Sequence, residues 1–153
     1  MTTSLNSSLS IVLADDDNDD CFLFNEVIEE IPLTIDLTIV HDGVELMGLL
    51  LNAPEDYPHV LFLDLNMPKK KGFECLTDIH SNSKFSKLPV VIYSTSFDPE
   101  IANRLYHKSA YYYIRKPSSF SKLKKVIHQA LSKIAQNKPT KPPLEEFVLI
   151  RDF

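Results

Sequence analysis

Two rhythms of apolar residues alternate along the chain. Short, mostly apolar runs at Leu9–Ala14, Ile35–Val40, Val60–Leu63, Val90–Tyr93 and Tyr111–Ile114 read as β-strands. Between them lie segments of helical period. Asn18–Glu30 carries Leu23 and Val27 toward Ile31 at i, i+4 and i+8, Val44–Leu51 makes a short helix, and another runs from about Gly72 to His80. Pro99–Lys108 has a proline in its first turn, where the missing N–H costs nothing. Phe120, Leu123, Ile127, Ala130, Leu131 and Ile134 trace one face of a long last helix. Asn52–Pro58, with two prolines, and the polar stretch Ser81–Leu88 are loops.

Five β–α units in succession imply an α/β fold: a doubly wound, five-stranded parallel sheet with right-handed crossovers. The unbroken run Val60–Leu63 indicates that both sheet faces are covered. No internal repeat is present. A length of 153 residues suits one domain, placed at residues 8–137. Residues 138–153 change character: a proline-rich linker precedes a tail whose Phe147–Ile150 is expected to form an edge strand or to dock on a partner.

The net charge of -5 conceals an asymmetry: residues 1–68 hold 14 acids and no Lys or Arg, whereas residues 101–144 hold 10 Lys or Arg and no acid. The basic residues are scattered over helices and turns of an acidic protein, which argues against DNA and for a solvated face that meets an acidic partner. No run is long enough for a membrane span, and the N-terminus lacks the pattern of a secretory signal, so a cytoplasmic protein is expected. Cys21 and Cys75 read as reduced core residues.

In an open parallel sheet, ligands bind beyond the carboxyl ends of the strands. Asp15 and Asp16 follow strand one, Asp64 strand three, Ser94 strand four and Lys116 strand five. Carboxylates gathered at one place need a cation to stay ionised, and an all-oxygen set suits magnesium. Asp64, alone at its strand end, can act as a nucleophile toward a phosphoryl group whose oxygens Lys116 and the Ser94 hydroxyl would meet.

LADDD at 13–17, LDLNMP at 63–68 with Gly72 after it, YST at 93–95 and RKP at 115–117 resemble, in order and spacing, the signature of a response regulator receiver domain of two-component systems. The resemblance spans most of the chain. It implies a flavodoxin-like (βα)5 fold with strand order 2-1-3-4-5. It also implies Asp64 as phosphoacceptor; Asp15, Asp16, Asp64 and the Asn66 carbonyl around Mg2+; and Ser94, Thr95 and Lys116 as the phosphoryl-binding group. Tyr113 takes the aromatic switch position. Pro68, Gly72 and Pro117 shape the site, the bond before Pro117 being often cis in the family. The implied donor is a sensor histidine kinase or a histidine phosphotransfer protein. The MPKKKG and KPSSF stretches resemble the small regulators paired with phytochrome-type or hybrid kinases. The protein would then be no enzyme in the ordinary sense, but a phosphoacceptor that assists its own phosphorylation and dephosphorylation.

Two departures stand out. Ser109-Ala110 replace the usual Gly-Ala before strand five, and Lys69–Lys71 crowd the turn after Asp64, where a solvated loop is the plainer reading. Asp19 and Asp20 read as helix N-terminal acids favoured by the dipole. Asp15, Asp17, Asp19 and Glu26 also match positions of a calcium loop, but Asp20 stands where its turn wants glycine. A haloacid-dehalogenase-like phosphatase is the rival enzyme; its general acid would fall at Asn66, and its acidic pair comes last rather than first.

Phosphorylation is expected to draw Ser94 inward and to let Tyr113 follow, reshaping the helix-four, strand-five, helix-five face. A face around Arg104, Tyr106, Tyr112, Lys122 and Lys125, or the tail, would then meet a partner or a second copy. With no acid at Asn66 or Ser96 to orient water, slow self-dephosphorylation is expected.

Overall fold

The strand runs alternate between two apolar layers. The computed structural model describes residues 8–136 and 141–149. Strands β1 (Leu9–Ala14), β2 (Ile35–Val40), β3 (Val60–Leu63), β4 (Val90–Ser94) and β5 (Tyr112–Arg115) pair in parallel in the order β2-β1-β3-β4-β5. Ile11, Leu13, Val60, Phe62, Val91 and Tyr93 point to one core cluster; Val12, Ala14, Leu61, Leu63, Val90 and Ile92 point to the other. Period-two alternation with both faces buried is what an interior parallel sheet requires.

Helices α1 (Asn18–Glu30) and α5 (Phe120–Gln136) supply apolar residues to the first cluster. Helices α2 (Gly43–Asn52), α3 (Gly72–Ser81) and α4 (Pro99–His107) cover the second. Asp17, Asp42 and Asp98 cap α1, α2 and α4, each side chain accepting from main-chain N–H groups of the first turn.

Two local readings change, and one left open falls to the first of its alternatives. Tyr111 precedes β5 instead of opening it, so strand alternation does not govern its side chain; it joins Tyr112 in the first cluster while Tyr113 faces the second. The Lys116–Pro117 bond is trans, and the cis proline bond lies at Tyr57–Pro58. The tail docks on its own chain: Tyr113 N–H donates to Phe147 O at 2.9 Å and Leu149 N–H to Tyr113 O at 3.1 Å. Phe147 is buried, and Tyr106 Oη donates to Pro142 O at 2.8 Å. The tail's Pro-rich start at residues 138–140 and its end at Ile150 lie outside the described residues, as does the domain boundary placed at 137.

Candidate functional site

Asp15, Asp64 and Lys116 lie just past strand ends, and each holds the neighbouring strand. Asp15 N–H donates to Val40 O at 3.0 Å, Asp64 N–H to Ala14 O at 2.9 Å and Lys116 N–H to Ser94 O at 2.7 Å. The ladder thus fixes the main chain from which the functional side chains leave. Among the described residues, Asp15, Asp64 and Ser94 are the buried polar ones, whereas Asp16 and Asn66 are exposed.

One carboxylate oxygen from each of Asp15, Asp16 and Asp64 lies within 4.8 Å of the others. Burial, first, and then the Asp15 charge push the Asp64 carboxyl up to about 6, against the pull of Lys116. A buried acid raised in this way, in an all-oxygen group, fits a hard divalent cation, which would restore the ionised form. Asn66 N–H leans toward Asp64 Oδ1 at 3.4 Å.

Lys116 reaches over the cluster. Its Nζ donates to Asp15 Oδ2 at 2.7 Å and to Asp20 Oδ2 at 2.8 Å, and stands 3.9 Å from Asp64 Oδ2. Burial works against the Lys116 charge, but its hydrogen bonds to Asp15 and Asp20, with the charges of Asp64 and Asp15, together offset it and raise its pKa. Asp20 is the residue that sequence reasoning missed. Read as a helix-dipole acid, it stands in the site, carried there by the first turn of α1. Its signal was the excess of acid, five of the six positions 15–20.

Gly72 explains why the β3–α3 turn closes so tightly. Its N–H donates to Leu65 O at 3.1 Å, and a Cβ there would fall 2.2 Å from Asp64 O. Only glycine allows the helix to begin against the main chain of Asp64. Pro68 lies in the same turn, its carbonyl accepting from Lys70 N–H at 2.7 Å. The three lysines of that turn have local uses. Lys69 lies 3.6 Å from Asp42, Lys70 pairs with Asp78, and Lys71 N–H is capped by Glu74.

Ser94 is fully buried, with its Oγ accepting from Ser96 N–H at 3.3 Å. Thr95 is exposed just past β4, so Ser94 alone supplies the enclosed hydroxyl. Tyr113 is buried, and its ring packs edge-on against Phe97 at 5.2 Å and Phe147 at 6.2 Å. Its hydroxyl donates to Ser96 O at 2.5 Å. Phe147 from the tail closes the outer side of the Tyr113 ring, so the tyrosine is enclosed in this structure. Tyr112 is buried, and Tyr106 is half covered by the tail, so neither offers the open contact surface expected from sequence. Burial pushes Cys21 up to about 12 and Cys75 up to about 11, which agrees with unreactive core thiols.

The fold and this strand-end cluster define a class of phosphoryl-accepting signalling domains, and the family comparison agrees. A model of the response regulator receiver domain matches residues 11–128, and the chain belongs to that family. Response regulator Rcp1 of Synechocystis sp. is 30% identical over 133 residues, 83% of this chain and 89% of that protein. The probable methanogenesis regulatory protein FilR2 of Methanothrix harundinacea is 28% identical over 122 residues, 78% of this chain and 79% of that one. Among solved structures, the phosphorylated cyanobacterial phytochrome response regulator RcpA superposes with a TM-score of 0.75 at 29% identity, covering 90% of this chain and 100% of that one. The Mn(2+)-bound form of Rcp1 gives a TM-score of 0.73 at 29% identity, over 88% and 99%. The chain is thus a two-component signalling domain homologous to single-domain phytochrome response regulators. Nothing in these matches favours a phosphatase.

Proposed function

We propose that Asp64 accepts a phosphoryl group from a phosphohistidine of a sensor kinase or phosphotransfer protein, and that Asp15, Asp16, Asp64 and the Asn66 carbonyl hold magnesium at the site. The observation that carries this reading is the buried Asp64 carboxyl, raised to about 6, lying beside two further acids and within 3.9 Å of a lysine. Magnesium, when bound, neutralises the crowded carboxylates and the oxygens of the incoming phosphoryl group.

The chain's own residues do the rest. An Asp64 carboxylate oxygen attacks phosphorus, the phosphorus–nitrogen bond of the donor breaks, and the imidazole leaves with the electron pair and takes up a proton. Lys116 meets the charge that builds on the phosphoryl oxygens, and the Ser94 hydroxyl donates to one of them. Gly72 and Pro68 hold the turn that keeps Asp64 aimed at the opening. The domain thereby assists its own phosphorylation without turning over a substrate.

The readout runs through β4, β5 and the tail. Ser96 receives the Tyr113 hydroxyl, and Tyr113 exchanges two main-chain hydrogen bonds with the tail, so a shift of Ser94 is felt at the α4–β5 edge. The tail occupies that edge in its own chain, so strand addition to a second copy would first require its release. A cytoplasmic location follows from the histidine-kinase partner; no helix of the described residues is long and apolar enough to cross a membrane.

The test is incubation with magnesium and acetyl phosphate, followed on a phosphate-retarding gel. A magnesium-dependent shift present in wild type and lost in Asp64→Asn supports the reading, and an equal shift in both proteins overturns the choice of Asp64.

A further inference from the structure

An ammonium group has three donors, and two of those on Lys116 are taken. Asp15 Oδ2 accepts at 2.7 Å and Asp20 Oδ2 at 2.8 Å, while Asp64 Oδ2, at 3.9 Å, is beyond hydrogen-bond reach. The Tyr93 ring, with its centroid 4.9 Å from Nζ, closes a further side. The Lys116 side chain is 7% exposed and that of Asp15 is fully buried, but Asp20 is 28% exposed. Asp20 is therefore the one partner of Lys116 that can turn to water at little cost.

Its placement is also distinct. Asp15 and Asp64 belong to the strand-end cluster with Asp16, and Asp20 does not. It rides on the first turn of α1, and its N–H is fixed by the Asp17 cap at 3.0 Å. The side chain projects from a locked main chain toward an ammonium that is 96 residues away in sequence.

We infer that Asp20 is a positioning residue that holds Lys116 back from Asp64 and competes with the phosphoryl group for its ammonium. The inference rests on the reading of Asp64 as the acceptor. Asp15 and Asp20 together hold the ammonium 3.9 Å from Asp64 Oδ2, so Lys116 closes on a phosphoryl oxygen there by moving off that pair, and the partly exposed Asp20 is the partner displaced. Asp20 then sets how readily the site takes a phosphoryl group and how firmly it keeps one.

The mere helix-dipole role makes a different claim. An acid in the first turn stabilises α1, and its loss lowers stability without strengthening any anion at Asp64. The experiment separates the two. The full chain is titrated with beryllofluoride in saturating magnesium, with tyrosine fluorescence as the readout, in wild type, Asp20→Asn and Asp20→Glu. Magnesium alone is titrated in parallel, because removing an acid cannot strengthen cation binding. The expected result is a gain of about tenfold in beryllofluoride affinity for Asp20→Asn, the effect of roughly one charge-assisted hydrogen bond, with no gain in magnesium affinity and a return toward wild type in Asp20→Glu. Binding in Asp20→Asn equal to or weaker than wild type overturns the inference and leaves the acceptor role intact. Failure of wild type itself to bind beryllofluoride removes both.

Discussion

Ser109, two residues past the end of α4, lies in the left-handed region, with φ at 72°. It sits in a helix-ending loop in which Ala110 N–H reaches Leu105 O at 3.2 Å and Ser109 N–H reaches Tyr106 O at 3.0 Å. That pattern wants glycine, and the family usually supplies one. The departure noted in the sequence is therefore stored as backbone strain. Ser109→Gly is expected to raise stability by about 0.5–1 kcal/mol, the strain relieved less the added freedom of the unfolded chain. The urea midpoint measures it; an unchanged or lower midpoint contradicts the account. Asp64 carries strain of another kind. Its folded carboxyl titrates near 6 against 3.8 for an ordinary aspartate, with burial as the main cause. Between those values the folded state binds more protons than the unfolded one, so the stability of the magnesium-free protein falls as pH rises through the window. Above it the penalty is complete, about 3 kcal/mol as an upper figure from a shift of roughly two units. Asp64→Asn removes it. In a chelating buffer near neutral pH the variant is expected to be the more stable protein, with the gap closing as pH falls below about 4. A gap that stays constant with pH contradicts the burial argument.

At the scale of elements, the C-terminal segment changes how β5 should be viewed. Leu144–Glu146 form a short 3-10 turn, and Val148 bridges in parallel to Tyr113, so the segment covers the edge of β5. Phe147 packs edge-on against Tyr106 at 5.3 Å and closes the outside of Tyr113. Phe147→Ala is expected to remove about 3 kcal/mol from docking of the segment. Because a terminal segment can undock without global unfolding, the loss appears first as amide exchange at Tyr113, about 100-fold faster than in wild type. Unaltered exchange there means that the segment does not guard Tyr113. Little of this docking was legible in the sequence. Phe147–Ile150 has the composition of a strand, but the choice between its own sheet and a partner's depends on Tyr113 and Phe147 meeting across 34 residues, which no local pattern encodes. Tyr111 was misassigned for a related reason: three tyrosines in a row carry no mark of where extended pairing begins.

At the scale of the molecule, strand ends were the legible feature. Asp15, Asp64, Ser94 and Lys116 each follow an apolar run, and once the runs are known to lie parallel, their ends must converge. The sheet order, the two apolar layers and the three-acid cluster all agree with that reading. Asp20 was not legible in the same way, since it belongs to a helix turn and joins the site only through the depth at which α1 packs. The charge asymmetry takes on meaning here as well. Four acids of the first half, Asp15, Asp16, Asp20 and Asp64, gather at a site completed by Lys116 from the second half, at the carboxyl edge of the sheet.

The central claim is that Asp64 itself becomes phosphorylated. Borohydride reduces an aspartyl phosphate to homoserine, so the most direct measurement is a peptide map after treatment with acetyl phosphate and magnesium followed by borohydride. The account predicts homoserine at position 64, dependent on magnesium, and aspartate unchanged at positions 15, 16 and 20. Homoserine at one of those positions, or at position 64 without magnesium, would contradict it.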